Sequence, residues 1–144
     1  MPRISNPLDN LPNPNSLPSN GHTILLAEDD PFISRMYETK LTSAGYKVDK
    51  ANNGRDAYDF IKNNSSDLIM LDINLPELTG FDVVKALVSD GVSDLAKKII
   101  ILTNSANPVD RKIANDMGLE YVVKADLTPR DVVEKINTRL GVKK

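Results

Sequence analysis

Apolar positions along the chain fall into two alternating textures from Thr23 onward. Short, nearly continuous apolar runs read as buried strands: Thr23 to Ala27, Leu68 to Leu71 ending at Asp72, Lys98 to Leu102 ending at Thr103, and Tyr121 to Val123 ending at Lys124. Tyr46 to Lys50 alternates and predicts a fifth strand. Between them the apolar spacing becomes helical. Pro31 to Ala44 carries Phe32, Ile33, Met36, Tyr37 and Leu41 on one expected face, with Gly45 suited to end it. A short helix after Asn53-Gly54 turns Ala57, Phe60 and Ile61 inward. Gly80 to Val88 does the same with Phe81, Val84, Leu87 and Val88. Asn107 to Met117 uses Val109, Ile113 and Met117, and Thr128 to Leu140 uses Val132, Val133, Ile136 and Leu140.

Helix starts are marked as well. Asp30-Pro31, Asn107-Pro108 and Thr128-Pro129 each place a side-chain acceptor at the N-cap and proline at the first helical position. Asp131 gives Thr128 a capping-box partner. Five strand–helix pairs with almost uninterrupted apolar strands predict an α/β fold: a doubly wound parallel sheet with helices on both faces. The first 22 residues follow no period and hold five of the nine prolines and five asparagines, so Met1 to His22 reads as a flexible lead-in and 23–144 as the folded domain. Leu8, Leu11 and Leu17 offer the alternative of a short docking segment.

Composition narrows the chemistry. There is no cysteine and a single histidine, which excludes disulfides, thiolate metal sites and Cys nucleophiles and disfavours a two-His zinc site or a Ser-His-Asp triad. A net charge of −2 disfavours a direct nucleic-acid binder. No apolar stretch is long enough to span a membrane. The cytoplasm is the expected location.

What remains sits at the strand ends. An open parallel sheet binds ligands at its carboxyl edge, and there the pattern gathers Glu28, Asp29, Asp30, Asp72, Thr103 and Lys124. Two carboxylates about 4 Å apart repel by about 4 kcal/mol at an effective dielectric of 20. Either one stays protonated or a cation fills the site. Oxygen ligands alone select a hard ion, Mg²⁺ or Mn²⁺, with coordination positions left for water and a phosphate oxygen. Asp72, apart from the acidic cluster, is a candidate nucleophile toward phosphorus. Asp30 reads more simply as a helix cap.

Thr23 to Leu140 resembles the receiver domain of two-component response regulators, through ILLAEDD (Ile24 to Asp30), LIMLDINLPELTG (Leu68 to Gly80), IIILTNS (Ile99 to Ser105) and YVVKA (Tyr121 to Ala125). The resemblance implies strand order 2-1-3-4-5, with Asp72 as phosphoacceptor. It implies a Mg²⁺ site of Glu28, Asp29, Asp72 and the Asn74 backbone carbonyl, with Glu28 acting through water. Thr103 would bind the phosphoryl group and Lys124 would pair with one of its oxygens. Tyr121 would be the aromatic switch, and Asn74 and Ser105 would tune the phosphate lifetime. The donor would be a sensor histidine kinase or a histidine phosphotransfer protein. The signal would leave to a downstream protein through the face of the fourth helix, fifth strand and fifth helix, where a homodimer could also form. The chain stops shortly after its last helix, so a stand-alone, chemotaxis-regulator-like receiver is expected: a signalling module rather than a turnover enzyme.

Three departures from the family pattern stand out: Thr79 where Asp is usual, Asn104 where a small residue is usual, and Ala125 where proline follows a cis peptide. A cis bond to a non-proline residue costs about 2.5–4 kcal/mol, so Lys124–Ala125 is predicted trans with its loop rearranged. Asn104 is expected to narrow access to the phosphoryl group. A pseudo-receiver that binds without phosphorylation is the alternative. A haloacid-dehalogenase-like phosphatase is disfavoured because Asp72-Ile73-Asn74 lacks a second Asp, and a dinucleotide-binding domain because no G-x-G-x-x-G follows the first strand.

Overall fold

A computed structural model describes residues 19–104 and 106–142. The strands are β1 (Thr23–Ala27), β2 (Lys47–Ala51), β3 (Leu68–Asp72), β4 (Ile99–Thr103) and β5 (Glu120–Val123). The helices are α1 (Pro31–Ser43), α2 (Gly54–Asn63), α3 (Gly80–Ser89), α4 (Pro108–Asp116) and α5 (Pro129–Leu140). All four strand pairings are parallel and the order is β2-β1-β3-β4-β5, as expected. Residues 1–18 of the lead-in, including Leu8, Leu11 and Leu17, lie outside the described residues. Asn20 is already tied to the fold, its amide donating to the Gly45 carbonyl at 3.0 Å.

Strand side chains alternate between the two faces, and this splits the core in two. Ile24, Leu26, Leu68, Met70, Ile100, Leu102 and Val122 pack under α1 and α5 with Tyr37, Leu41, Val132 and Ile136. Leu25, Ala27, Ile69, Leu71, Ile99 and Ile101 pack under α2, α3 and α4 with Ala57, Val83, Leu87 and Ala114. Every residue of β3 and β4 is buried, which is why both read as unbroken apolar runs ending in a polar residue.

The proline-marked caps form. Asp30 accepts from the backbone N–H groups of Phe32 and Ile33, Asn107 from Val109, and Thr128 from Asp131 with the reciprocal bond closing a capping box. A second capping box, Thr79 with Asp82, starts α3. This gives the departure at Thr79 a structural role.

Three inward assignments are corrected. Phe32 is 84% exposed. The buried stripe of α1 runs through Ser34, Tyr37 and Leu41, and at 3.6 residues per turn Phe32 stands about 140° from Tyr37. Val88 is also exposed, because Val83 rather than Val88 completes the stripe of α3. Val109 is exposed because α4 rests on the sheet through Ala114, leaving its first turn clear. Every described peptide bond, Lys124–Ala125 included, is trans, and the chain leaves β5 through one 3-10 turn over Lys124–Asp126.

Candidate functional site

Strand alternation aims the site. Glu28 follows Ala27 with its amide still on the ladder, donating to the Ala51 carbonyl at 3.0 Å. It continues the side of β1 that carries Ile24 and Leu26, as Asp72 continues the side of β3 that carries Leu68 and Met70. Both acids therefore stand over the α1/α5 half of the core at the carboxyl edge, and each is only 2% exposed. Asp29, one residue on, is exposed. Carboxylate oxygens of Glu28, Asp29 and Asp72 lie within 4.8 Å of one another.

Lys124 answers their repulsion. Its ammonium donates to Asp72 Oδ2 at 3.0 Å and to Glu28 Oε1, with only 9% of its side chain exposed. The second oxygen of Asp72 accepts from the Asn74 backbone N–H at 3.1 Å. Burial, and then the hydrogen bond with Asp72, push the Glu28 carboxyl up to about 7 against the opposing pull of Lys124. Burial alone would lower the Lys124 ammonium, but the hydrogen bond to Glu28 and the charges of both acids outweigh it and hold it above its ordinary value. Both remedies for crowded carboxylates are thus in use: a cation between them, and one acid poised to keep a proton. The Lys124–Glu28 contact is not legible in the sequence, where the family resemblance implies a phosphoryl oxygen as the partner of Lys124.

The loop that follows Asp72 is set by backbone packing. Gly80 donates to the Ile73 carbonyl at 2.9 Å, and a Cβ there would stand 2.4 Å from the Asp72 carbonyl oxygen. Gly54 at the start of α2 donates to the Pro76 carbonyl at 2.9 Å, and its Cβ would fall 1.9 Å from the Leu78 carbonyl oxygen. Only glycine fits either approach, so the loop after Asp72 is pressed between α2 and α3.

Thr103 ends β4 beside this group and is 2% exposed. Following Ile99 and Ile101, it faces the α2–α4 side, where Tyr121 also packs. Asn74 is exposed on the loop after β3. Ser105 lies outside the described residues. Two cavities open here. One of about 430 Å³ is lined by Glu28, Asp29, Ser34, Asn52 and Asp56. The other, of about 300 Å³, is lined by Ile33, Tyr37, Asn104, Lys124 and Ala125. The structure thus brings Glu28, Asp29, Asp72 and Lys124 into one cluster and leaves Tyr121 farther along the sheet. Asp30 serves as the α1 cap.

Residues 24–137 match the family model of the response regulator receiver domain. A gliding motility regulatory protein of Myxococcus xanthus is 37% identical over 107 residues, which cover 72% of this chain and 13% of that protein. The TorCAD operon transcriptional regulatory protein TorR of Escherichia coli K12 is 30% identical over 119 residues, covering 83% of this chain and 50% of TorR. The chain thus spans half or less of these relatives. Among solved structures, a Vibrio cholerae chemotaxis protein superposes with a TM-score of 0.70 at 27% identity, covering 81% of this chain and 97% of that one. The receiver domain of a Pseudomonas aeruginosa sensor histidine kinase gives 0.72 at 27% identity, covering 84% and 98%, and holds a magnesium ion in its active-site cleft. Sequence, fold order and site composition agree: the chain belongs to the response regulator receiver domains of two-component signalling.

Proposed function

We propose that this receiver takes a phosphoryl group from a phosphohistidine onto Asp72 and passes the change to a partner protein. The observation that carries the reading is the position of Asp72: buried at a strand end, held through one oxygen by Lys124 and through the other by the Asn74 amide, with two more carboxylates within 4.8 Å. The donor set contains oxygen alone, which suits a hard divalent ion. Asp29 and Asp72, with Glu28 and the Asn74 carbonyl, would hold Mg²⁺. When bound it would supply positive charge to an incoming phosphoryl oxygen.

The protein's own groups account for the rest. An Asp72 carboxylate oxygen attacks phosphorus, the P–N bond breaks, and the imidazole nitrogen of the donor keeps the bonding pair. Lys124 moves from Asp72 to a phosphoryl oxygen, retaining its charge because its pKa is raised. The Thr103 hydroxyl supplies a further contact to the equatorial oxygens, over which the transition state spreads its charge. Glu28 and Asp29 hold negative charge where the ion belongs. The donor is a sensor histidine kinase or a histidine phosphotransfer protein, and the setting is the cytoplasm. Among the described residues no helix is long and apolar enough to cross a membrane.

Intact-mass spectrometry after incubation with Mg²⁺ and acetyl phosphate tests the reading. One added phosphoryl mass in the wild type and none in Asp72→Asn is the expected result. A gain that persists in Asp72→Asn, or no gain with either acetyl phosphate or a panel of phosphorylated histidine kinases, overturns it.

A further inference from the structure

Tyr121 is half-buried on β5, with its ring against the α2–α4 half of the core. Two groups of α4 meet it. The Arg111 guanidinium carbon lies 4.7 Å from the ring centroid. The backbone N–H of Asn107, the α4 cap, donates to the phenol oxygen at 3.5 Å. Arg111 is exposed and takes part in none of the described ion pairs, whereas its neighbour Lys112 pairs with Asp116 at 3.0 Å. A cation with no described carboxylate partner, seated over a ring face, has its main interaction with that ring.

The strand register gives this contact a consequence. Ile101 pairs with Tyr121 and Thr103 with Val123, so Tyr121 and Thr103 occupy the same face of the sheet, one pleat apart on neighbouring strands. Any movement of Thr103 toward a phosphoryl group at Asp72 changes the space beside the ring. We propose that Arg111 is a latch: it holds Tyr121 against α4 and thereby weakens the grip of the site on a phosphoryl group at Asp72. The proposal rests on the phosphoacceptor reading above. A contact made in one state and lost in the other biases the equilibrium by its own strength and no more. Linkage makes the effect reciprocal, so a phosphoryl group at Asp72 loosens the Arg111–Tyr121 contact.

The test is titration of the full chain with beryllofluoride, a phosphoryl mimic, in saturating Mg²⁺, followed by amide NMR. Arg111→Ala is expected to bind about 2–5-fold more tightly than wild type, the change that losing an exposed cation–π pair of about 0.5–1 kcal/mol produces. In a Tyr121→Leu background the same substitution is expected to change nothing. Arg111 is exposed, so the variant folds, and the Arg111 side-chain protons report the ring directly through an upfield shift that disappears in Tyr121→Leu. Equal affinity of wild type and Arg111→Ala, or an equal gain in the Tyr121→Leu background, overturns the latch alone. If the wild type responds to Mg²⁺ yet takes up no beryllofluoride, the phosphoacceptor reading falls and the latch falls with it.

Discussion

Lys124 Nζ lies 3.0 Å from Asp72 Oδ2 across 52 residues of sequence, and its other carboxylate contact is to Glu28. One ammonium therefore bridges two buried acids at the ends of different strands. Removing it leaves their negative charge uncompensated. Lys124→Ala is expected to lower the stability of the metal-free protein by about 3 kcal/mol, in the range for breaking a buried ion pair from one side. Added Mg²⁺ should return part of the loss by supplying positive charge at the same carboxylates. Urea unfolding with and without Mg²⁺ checks both statements. A Lys124→Ala midpoint equal to that of wild type would show that the ion pair does not contribute to the fold.

Much of this arrangement was legible before the fold was known, for a local reason. A buried strand must be apolar until it leaves the sheet, so the first polar residue after each run marks the carboxyl edge, and Glu28, Asp72, Thr103 and Lys124 are those residues. Three helix starts were legible because Pro cannot sit in a helix interior and each follows a side-chain acceptor. The Thr79–Asp82 capping box is also visible in the sequence as Thr-x-x-Asp before an apolar run. The misplacement of Phe32, Val88 and Val109 has a different origin. An apolar residue near a helix end fits the helical period whether or not the sheet extends beneath it. The partnering of Lys124 with Glu28 and the fit of Gly54 against Leu78 depend on elements distant in sequence, which a periodic reading does not register.

If Glu28 helps hold Mg²⁺ as proposed, it would tie metal binding to pH. Burial first, and then the hydrogen bond with Asp72, push its carboxyl up to about 7 from 4.5, so the folded protein holds this proton more tightly than the unfolded chain does. The stability gained from that proton is complete below 4.5 and is lost as pH rises through about 7. Mg²⁺ needs the ionised carboxylate. Its affinity should therefore rise with pH up to about 7, by at most about tenfold per unit for one displaced proton, and level off above. Calorimetry at pH 6 in two buffers of different ionisation enthalpy should detect proton release on Mg²⁺ binding. Glu28→Gln should abolish the release and flatten the profile. A wild-type affinity that does not change between pH 6 and 8 would remove Glu28 from the binding equilibrium.

Two glycines hold the loop that follows Asp72. Gly80→Ala would drive a methyl to 2.4 Å from the Asp72 carbonyl oxygen, and Gly54→Ala would place one 1.9 Å from that of Leu78. Neither neighbour is a flexible side chain, so backbone must move. Each variant is expected to lose about 2–3 kcal/mol, the upper part of the overpacking range. Their functional effects should differ. Gly80→Ala displaces the residue that carries the candidate phosphoacceptor and should slow phosphorylation from acetyl phosphate. Gly54→Ala presses on Leu78, several residues from it, and should affect the reaction less per unit of stability lost. Thermal unfolding together with single-turnover phosphorylation separates the two, and equal slowing in both would mean that the loop moves as one body.

Asn104 offers the most direct view of access to the site. It follows Thr103, is exposed, and shares with Lys124 the wall of the cavity of about 300 Å³ that Ile33, Tyr37 and Ala125 also line. The family resemblance, which has a small residue at this position, leads to the expectation that its bulk narrows the approach of a donor or an attacking water to Asp72. Asn104→Ala removes that bulk without disturbing a buried contact, and its stability should stay within about 0.5 kcal/mol of wild type. Phosphorylation by acetyl phosphate and spontaneous loss of the phosphoryl group should both accelerate, because either reaction needs the same opening. Measuring the two rates on one preparation decides whether Asn104 acts by bulk. If the phosphoryl group is lost faster while its uptake is unchanged, Asn104 acts on the attacking water rather than on the width of the opening.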